Sequence, residues 1–295
     1  MEQYYLLFPL ISGFFYAASA LFLKAGAREG AGPVRTTVLV LWAMAAGFLL
    51  FYPWGEFPIR PESWWPSLAV GFMFLLGHLF LVLSYARGDV SVATPVMGTK
   101  VLLVAILVAI ISDDPLGWRT WTAAVLTTVA LALLVSPVHR DAVSTRRART
   151  GFIYALATAA SFAVFDVMIQ EWSPVIRFGL LAPFAMVFAA LGSLLLMRFA
   201  RSRSFRFSRR AWRFLIPGAA LLTGQAMLLI WTIGTFGVAA PANIVYSSRG
   251  VWSILLVLFI GSQFGDRESL HDPKVVVRRL IGAVLIIIGI MLVFG

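Results

Sequence analysis

Lys100 stands inside TPVMGTKVLLVAILVAII, residues 94–111, and Arg249 inside a second long apolar run, neither with an acidic sequence neighbour. Some ten residues into an apolar helix, at about 1.5 Å per residue, each would lie roughly 15 Å deep in a bilayer. A basic side chain at that depth cannot snorkel, and burying it costs on the order of 3 kcal/mol. Each must face a wet cavity or a partner. Lys24, near the end of the first apolar run, differs: its long stem can carry the charge to the headgroups.

Two midplane cations can hold an anion. A guanidinium offers a fork for carboxylate or phosphate, and an ammonium acts as a point charge. Asp166 is the sole acidic residue well inside an apolar run, with Glu171, Asp113 and Asp114 at run ends. One carboxylate cannot neutralise both cations. The competing reading is that buried carboxylates pair with Lys100 and Arg249 and only hold helices together. Around Arg249, residues Asn243, Tyr246, Gly250 and Ser253 share one helical face, a polar stripe that must look into the protein. Tyr16, Tyr85, Gln225 and Trp231 are further candidates to stack on or hydrogen-bond a substrate, although aromatic residues in such runs commonly serve packing.

His78 is a candidate proton carrier or a satisfied interior histidine. Asp166 either couples to protons or pairs with a cation. Pro95 and Pro241 open their helices near the N-terminus, where proline is tolerated, and are candidate points for a gating break. Aligning them sets Lys100 opposite Tyr246, with Arg249 one turn further. Gly282 and Gly289, seven apart, mark close helix packing.

These residues must be carried by membrane helices. The chain has 295 residues, 60% apolar and 13% charged, far from soluble proportions, and its mean hydropathy is +0.90. Apolar windows fall near 4–26, 34–52, 64–86, 90–112, 118–136, 150–170, 175–197, 211–234, 238–262 and 276–294. The fold class is therefore all-α, a polytopic membrane protein of ten transmembrane helices. The first window has no basic leader or small-residue cleavage site and reads as a retained span. Loops after odd-numbered helices hold 18 basic residues against 3 on the other side, Arg60, Arg119 and Arg177. The basic side is expected to be cytoplasmic and both termini outside. The run from Arg198 to Arg213 reads as that topology signal.

AASALFLKAGARE (17–29) lines up with AASFAVFDVMIQE (159–171), GDVSVATP (88–95) with TFGVAAP (235–241), and Gly77-His78 with Gly224-Gln225. The expectation is two five-helix repeats, residues 1–140 and 148–295. Five being odd, they are inverted about an axis in the membrane plane, as in many transporters.

Other chemistries find no residues. There is no cysteine, which removes disulfides and thiolates. His78, His139 and His271 are too scattered for a metal site. Neither cofactor nor metal is expected. The net charge of +11 belongs to loops at a lipid surface, with no nucleic acid implied. No paired carboxylates, metal site or nucleophile supports an enzyme acting on lipid phosphates, and no nucleotide-binding Gly-Lys motif supports an ATP-driven pump.

The duplication, Lys24 near the end of the first span, and the Gly-Val-Ala-x-x-Pro-like lead into helices four and nine resemble the drug/metabolite transporter superfamily, EamA-domain type. FFYAASALFLK in the first span departs from the family's usual Trp-Gly, Asn and Phe. The resemblance implies an alternating-access carrier in the cell membrane, with a central cavity lined by helices three, four, eight and nine among others. Basic residues on helices four and nine, here Lys100 and Arg249, are similar to the branch carrying phosphorylated metabolites. The expected function is secondary transport of a small organic anion, phosphate- or carboxylate-bearing, driven by exchange or proton coupling. The alternative is an exporter of amino acids or other neutral or zwitterionic metabolites or drugs. Its expected partners are a small-molecule substrate and the lipid bilayer, the chain being a monomer or homodimer.

Overall fold

Long apolar runs become helices because a backbone in lipid has no water to bond and must satisfy its polar groups within the segment. The structure, a computed structural model, describes residues 4–52, 64–87, 90–112, 115–134, 145–200, 206–260 and 273–295. Among these residues there is no strand. Twelve helices follow in order: α1 (Leu7–Arg28), α2 (Pro33–Phe48), α3 (Trp64–Arg87), α4 (Val90–Met97), α5 (Lys100–Ile111), α6 (Trp118–Leu134), α7 (Thr145–Ile176), α8 (Phe178–Ser193), α9 (Arg209–Phe236), α10 (Ala239–Tyr246), α11 (Arg249–Ile260) and α12 (Pro273–Phe294).

Local signals set several ends. Pro33 sits in the first turn of α2, where its missing N–H is no loss. Ser208 caps α9 by accepting from the Ala211 N–H at 3.0 Å, and Gly237 ends that helix in the left-handed conformation at φ 66°.

Among the described residues, nine helical stretches are long and apolar enough to cross a membrane, α4–α5 and α10–α11 each counting as one. The remaining apolar helix, α6, runs 17 residues. The two joined stretches are interrupted where the sequence set their polar residues. Gly98 and Thr99 bond back three residues, to the Pro95 and Val96 carbonyls at 3.0 Å. Ser247 and Ser248 do the same to Ile244 and Val245, each at 3.1 Å. Each break is thus a tightened 3₁₀ turn within a span, a common hinge geometry. The turns lie a few residues past Pro95 and Pro241 rather than at them. Lys100 and Arg249 are each the first residue of the helix after a break.

Polarity is arranged inside out relative to a soluble protein. Phe259 is 79% exposed and Ile110 74%, whereas Ser12, Ser19 and Ser84 are fully buried. Those serines cross-link helices through backbone carbonyls: Ser12 to Gln225 at 2.9 Å and Ser19 to Gly218 at 2.8 Å join α1 to α9, and Ser84 to Gly151 at 3.3 Å joins α3 to α7. Such bonds between membrane helices contribute about 0.6 kcal/mol each. A Cβ on Gly282 would sit 2.9 Å from the Ala130 carbonyl, and one on Gly289 2.8 Å from Thr127 Oγ1. Both glycines therefore seat α12 on α6, as their spacing indicated.

Candidate functional site

A cavity of about 650 Å³ occupies the centre of the molecule. Its wall comes from the C-terminal halves of α1 and α3, the N-terminal half of α2, the breaks of α4–α5 and α10–α11, the C-terminal end of α6, the middle of α7 and α9, and the start of α12. These portions run from the breaks toward the ends that carry the basic loops. Tyr16 and Tyr85 are 37% and 41% exposed although they lie on this inner wall, so they face empty space rather than packed interior.

The two breaks face this space. Lys100 Nζ lies 2.7 Å from Asp166 Oδ2 on α7. The same oxygen accepts from Asn243 Nδ2 at 2.6 Å, and Asn243 also donates to the Ala239 carbonyl at 2.9 Å. Lys100 further stands 5.9 Å from the centre of the Phe162 ring. Among the described residues no carboxylate pairs with Arg249. Its guanidinium lies 4.4 Å from the Tyr246 ring centre and 5.1 Å from that of Tyr16, and the two rings meet edge to face at 6.0 Å. The guanidinium also donates a hydrogen bond to the Tyr246 hydroxyl, and the aromatic faces leave its remaining in-plane N–H donors for a ligand.

Backbone donors are partly spent. The N–H groups of Val101 and Leu103 bond to Gly98 and Thr99, and those of Gly250 and Trp252 to Ser247 and Ser248. The turns thus satisfy two of the first four N–H groups of each following helix, and the full charges at the breaks belong to side chains.

Of the residues singled out in the sequence, Tyr16, Lys24, His78, Tyr85, Lys100, Asp166, Gln225, Tyr246, Arg249 and Ser253 share this wall. Ser253 spends its hydroxyl proton on the Arg249 carbonyl at 2.7 Å. His78 Nδ1 is 3.0 Å from the Phe74 carbonyl, which can only accept, so that nitrogen carries the proton. Its ring packs on Phe74 and Phe162. Lys24 stands two helical turns beyond Tyr16 on α1, toward the basic-loop end, in keeping with its reach to that surface. Four residues are not part of the wall. Asn243 turns to Asp166, Pro95 and Pro241 lie in α4 and α10, and Trp231 packs between Phe8 and Phe236 at 5.1 and 5.4 Å. Thr36, Thr94 and Thr158 also line the cavity, and a threonine in an apolar run carries no distinguishing signal in the sequence; Arg279, counted there among the basic loops, lines it too. His139, His271, Asp89, Asp113, Asp114, Arg60, Arg201 and Arg203 lie outside the described residues.

The opposite helix ends are packed shut. Tyr5 stacks on Phe236 at 4.9 Å, Phe51 meets Phe178 at 5.2 Å, Tyr52 meets Phe184 at 5.8 Å, and Trp65 meets Trp172 at 5.2 Å. A polar knot adds to them. Ser112 donates to Glu171, Gln170 Nε2 donates to Ser112 at 2.9 Å and to Glu171 at 3.0 Å, and Gln170 Oε1 accepts from the Ala239 N–H at 2.8 Å. Gln170 thereby caps α10 from α7. Among the described residues the cavity extends toward the basic-loop end, to Lys24, Thr36 and Arg279, and is closed at the other.

Comparison with known proteins agrees with this architecture. The EamA-like transporter family matches residues 3–136. A molecule described only as a crystal structure of a protein shares the fold with a TM-score of 0.70 at 16% identity, covering 99% of this chain and 96% of its own. No curated protein matches the sequence.

Proposed function

We infer, from the premise that residues 3–136 make this chain an EamA-type member of the drug/metabolite transporter superfamily, that it is a secondary transporter of small organic anions. As a member it is a membrane transporter of small molecules. The anion is the finer part of the reading, and one observation carries it: Arg249 enters the cavity wall among the described residues with tyrosine rings beside it and no carboxylate. Lys100 shares its charge with Asp166 and adds field rather than a free grip, so Arg249 is the principal anchor, flanked by Tyr246 and Tyr16.

The helix pairings support two inverted repeats, residues 1–140 and 148–295, with α6 as a tenth crossing. Numbering crossings from one to ten, the first packs along the eighth and the third along the sixth, while the fifth packs on the tenth and the second on the seventh. Exchanging the two halves maps each pairing onto another or onto itself. Rocking one repeat against the other would open the aromatic end and close the basic one. The basic-loop end is read as cytoplasmic and the membrane as the cell membrane.

A second reading has its own observation: Asp166 and Arg249 line one cavity, so a zwitterionic amino acid could place its ammonium and carboxylate on them. Thermal stabilisation of the purified protein by carboxylates, phosphate esters, amino acids and amines tests both. Stabilisation by anions that disappears in Arg249→Gln supports the first reading; stabilisation by amines or amino acids alone removes it.

A further inference from the structure

We propose that the cavity selects monoanions with an apolar body, aryl or alkyl carboxylates, over the dianionic head and hydroxylated body of a sugar phosphate. This rests on the anion-transport reading and names the substrate class of the same site.

Charge is the first reason. At the breaks the side chains are Lys100, Asp166 and Arg249, and Lys100 is already closed on Asp166 at 2.7 Å. The cluster's formal charge is +1, which one carboxylate neutralises. A dianion would leave an uncompensated negative charge in a low-dielectric wall. The wall's other two cations, Lys24 and Arg279, do not remedy this at the same head group: at about 1.5 Å per residue Lys24 stands about 12 Å from Tyr16 along α1, and Arg279 about 10 Å along α12 from Ile286, the residue that reaches Gly250.

The second reason is that several hydroxyl protons along the wall are already committed. Thr36 donates to the Gly32 carbonyl at 3.1 Å, Thr158 to Tyr154 at 2.8 Å and Ser253 to Arg249 at 2.7 Å. His78 holds Phe74, and Tyr85 is hydrogen-bonded to Thr94. Between them the wall is Phe74, Phe162 and Phe165 on α3 and α7, and Leu222, Leu229 and Ile230 on α9. A polyhydroxylated body would leave hydroxyls unpaired against these groups, the situation that sites reject most strongly. An aryl or alkyl body would bury apolar surface there.

The test uses the purified full-length protein and its tryptophan fluorescence, titrated with 3-phenylpropionate, glycerol 3-phosphate, phenylalanine and phenylethylamine. The expected result is at least tenfold tighter binding of 3-phenylpropionate than of glycerol 3-phosphate, lost in Arg249→Gln. Asp166→Asn raises the cluster to +2 and should move that ratio at least tenfold toward the phosphate ester. Lys100→Met with Asp166→Asn restores +1 without a lone buried charge, and should return the ratio toward its starting value even if the single variant folds poorly. Equal or tighter binding of glycerol 3-phosphate by the wild type, or tighter binding of phenylalanine than of 3-phenylpropionate, overturns this inference; in the phosphate case anion transport still stands. Binding of phenylethylamine with no binding of either anion overturns both.

Discussion

Lys100 Nζ and Asp166 Oδ2 are 2.7 Å apart, and the carboxylate side chain is only 2% exposed. The same oxygen takes the Asn243 amide, so α5, α7 and α10 meet at one atom. Removing the ammonium alone would strand a buried carboxylate, at about 3–5 kcal/mol, whereas replacing both partners by neutral groups of similar size is close to neutral. Lys100→Met should therefore lower the thermal midpoint of the detergent-solubilised protein markedly. Lys100→Met with Asp166→Asn should recover most of the loss. Equal midpoints for the single and double variants would mean that the pair does not hold these helices.

Tyr246 and Tyr16 flank the guanidinium of Arg249. A desolvated cation over an aromatic face is worth about 2 kcal/mol, and losing one such face should also loosen the angle of the fork. Tyr246→Leu is expected to raise KM for an anionic substrate about tenfold or more, with Tyr246→Phe retaining most of the affinity. Initial-rate uptake measurements separate the two; identical KM values for Leu and Phe would remove the ring from the account.

Gly13 lets α1 lie against the second break. A Cβ there would sit 2.6 Å from Ser248 Oγ, 3.0 Å from the Arg249 nitrogen and 3.2 Å from the Tyr246 carbonyl. Two of those atoms are backbone and cannot rotate away. Gly13→Val should push the break and Arg249 out of position, with an overpacking penalty of about 1–3 kcal/mol. Transport should fall sharply while expression and membrane insertion persist. Uptake at the wild-type rate would show that the close approach is incidental.

Gln170 reaches from α7 to cap α10 at the closed end. Losing a cap of this kind costs about 1 kcal/mol, which shifts a two-state equilibrium about fivefold. The chain has no cysteine, so Ala239→Cys gives one thiol at the start of α10. Its labelling by a membrane-impermeant thiol reagent should be slow in the otherwise unchanged protein and about fivefold faster with Gln170→Ala. Unchanged labelling would remove Gln170 from the closure.

The depth of Lys100 and Arg249 was legible because depth follows from counting residues along an apolar run, and both do line the cavity. Asp166 was legible as the interior acid. Which cation it takes was not, because that depends on which helix packs beside α7, and no local pattern names the neighbour. Pro95 and Pro241 pointed to the right spans but not to the break positions: both 3₁₀ turns close a few residues downstream, at Gly98-Thr99 and Ser247-Ser248. Trp231 had the composition of a binding residue and serves the aromatic closure instead. Asn243 belongs to the polar stripe of α10–α11 and spends its amide on Asp166 behind the cavity wall. The Ser112–Gln170–Glu171 knot left no trace in the sequence, since its members become neighbours only when α5 and α7 pack.

The claim on which the rest depends is that Arg249 holds the substrate's anionic group. Uptake of an arylcarboxylate into proteoliposomes by the wild type and by Arg249→Gln tests it most directly. Losing a charge-assisted hydrogen bond costs about 1.5–3 kcal/mol, so uptake efficiency should drop by about tenfold to a hundredfold while uptake of any neutral substrate is retained. Undiminished uptake of the carboxylate by correctly inserted Arg249→Gln would contradict the account.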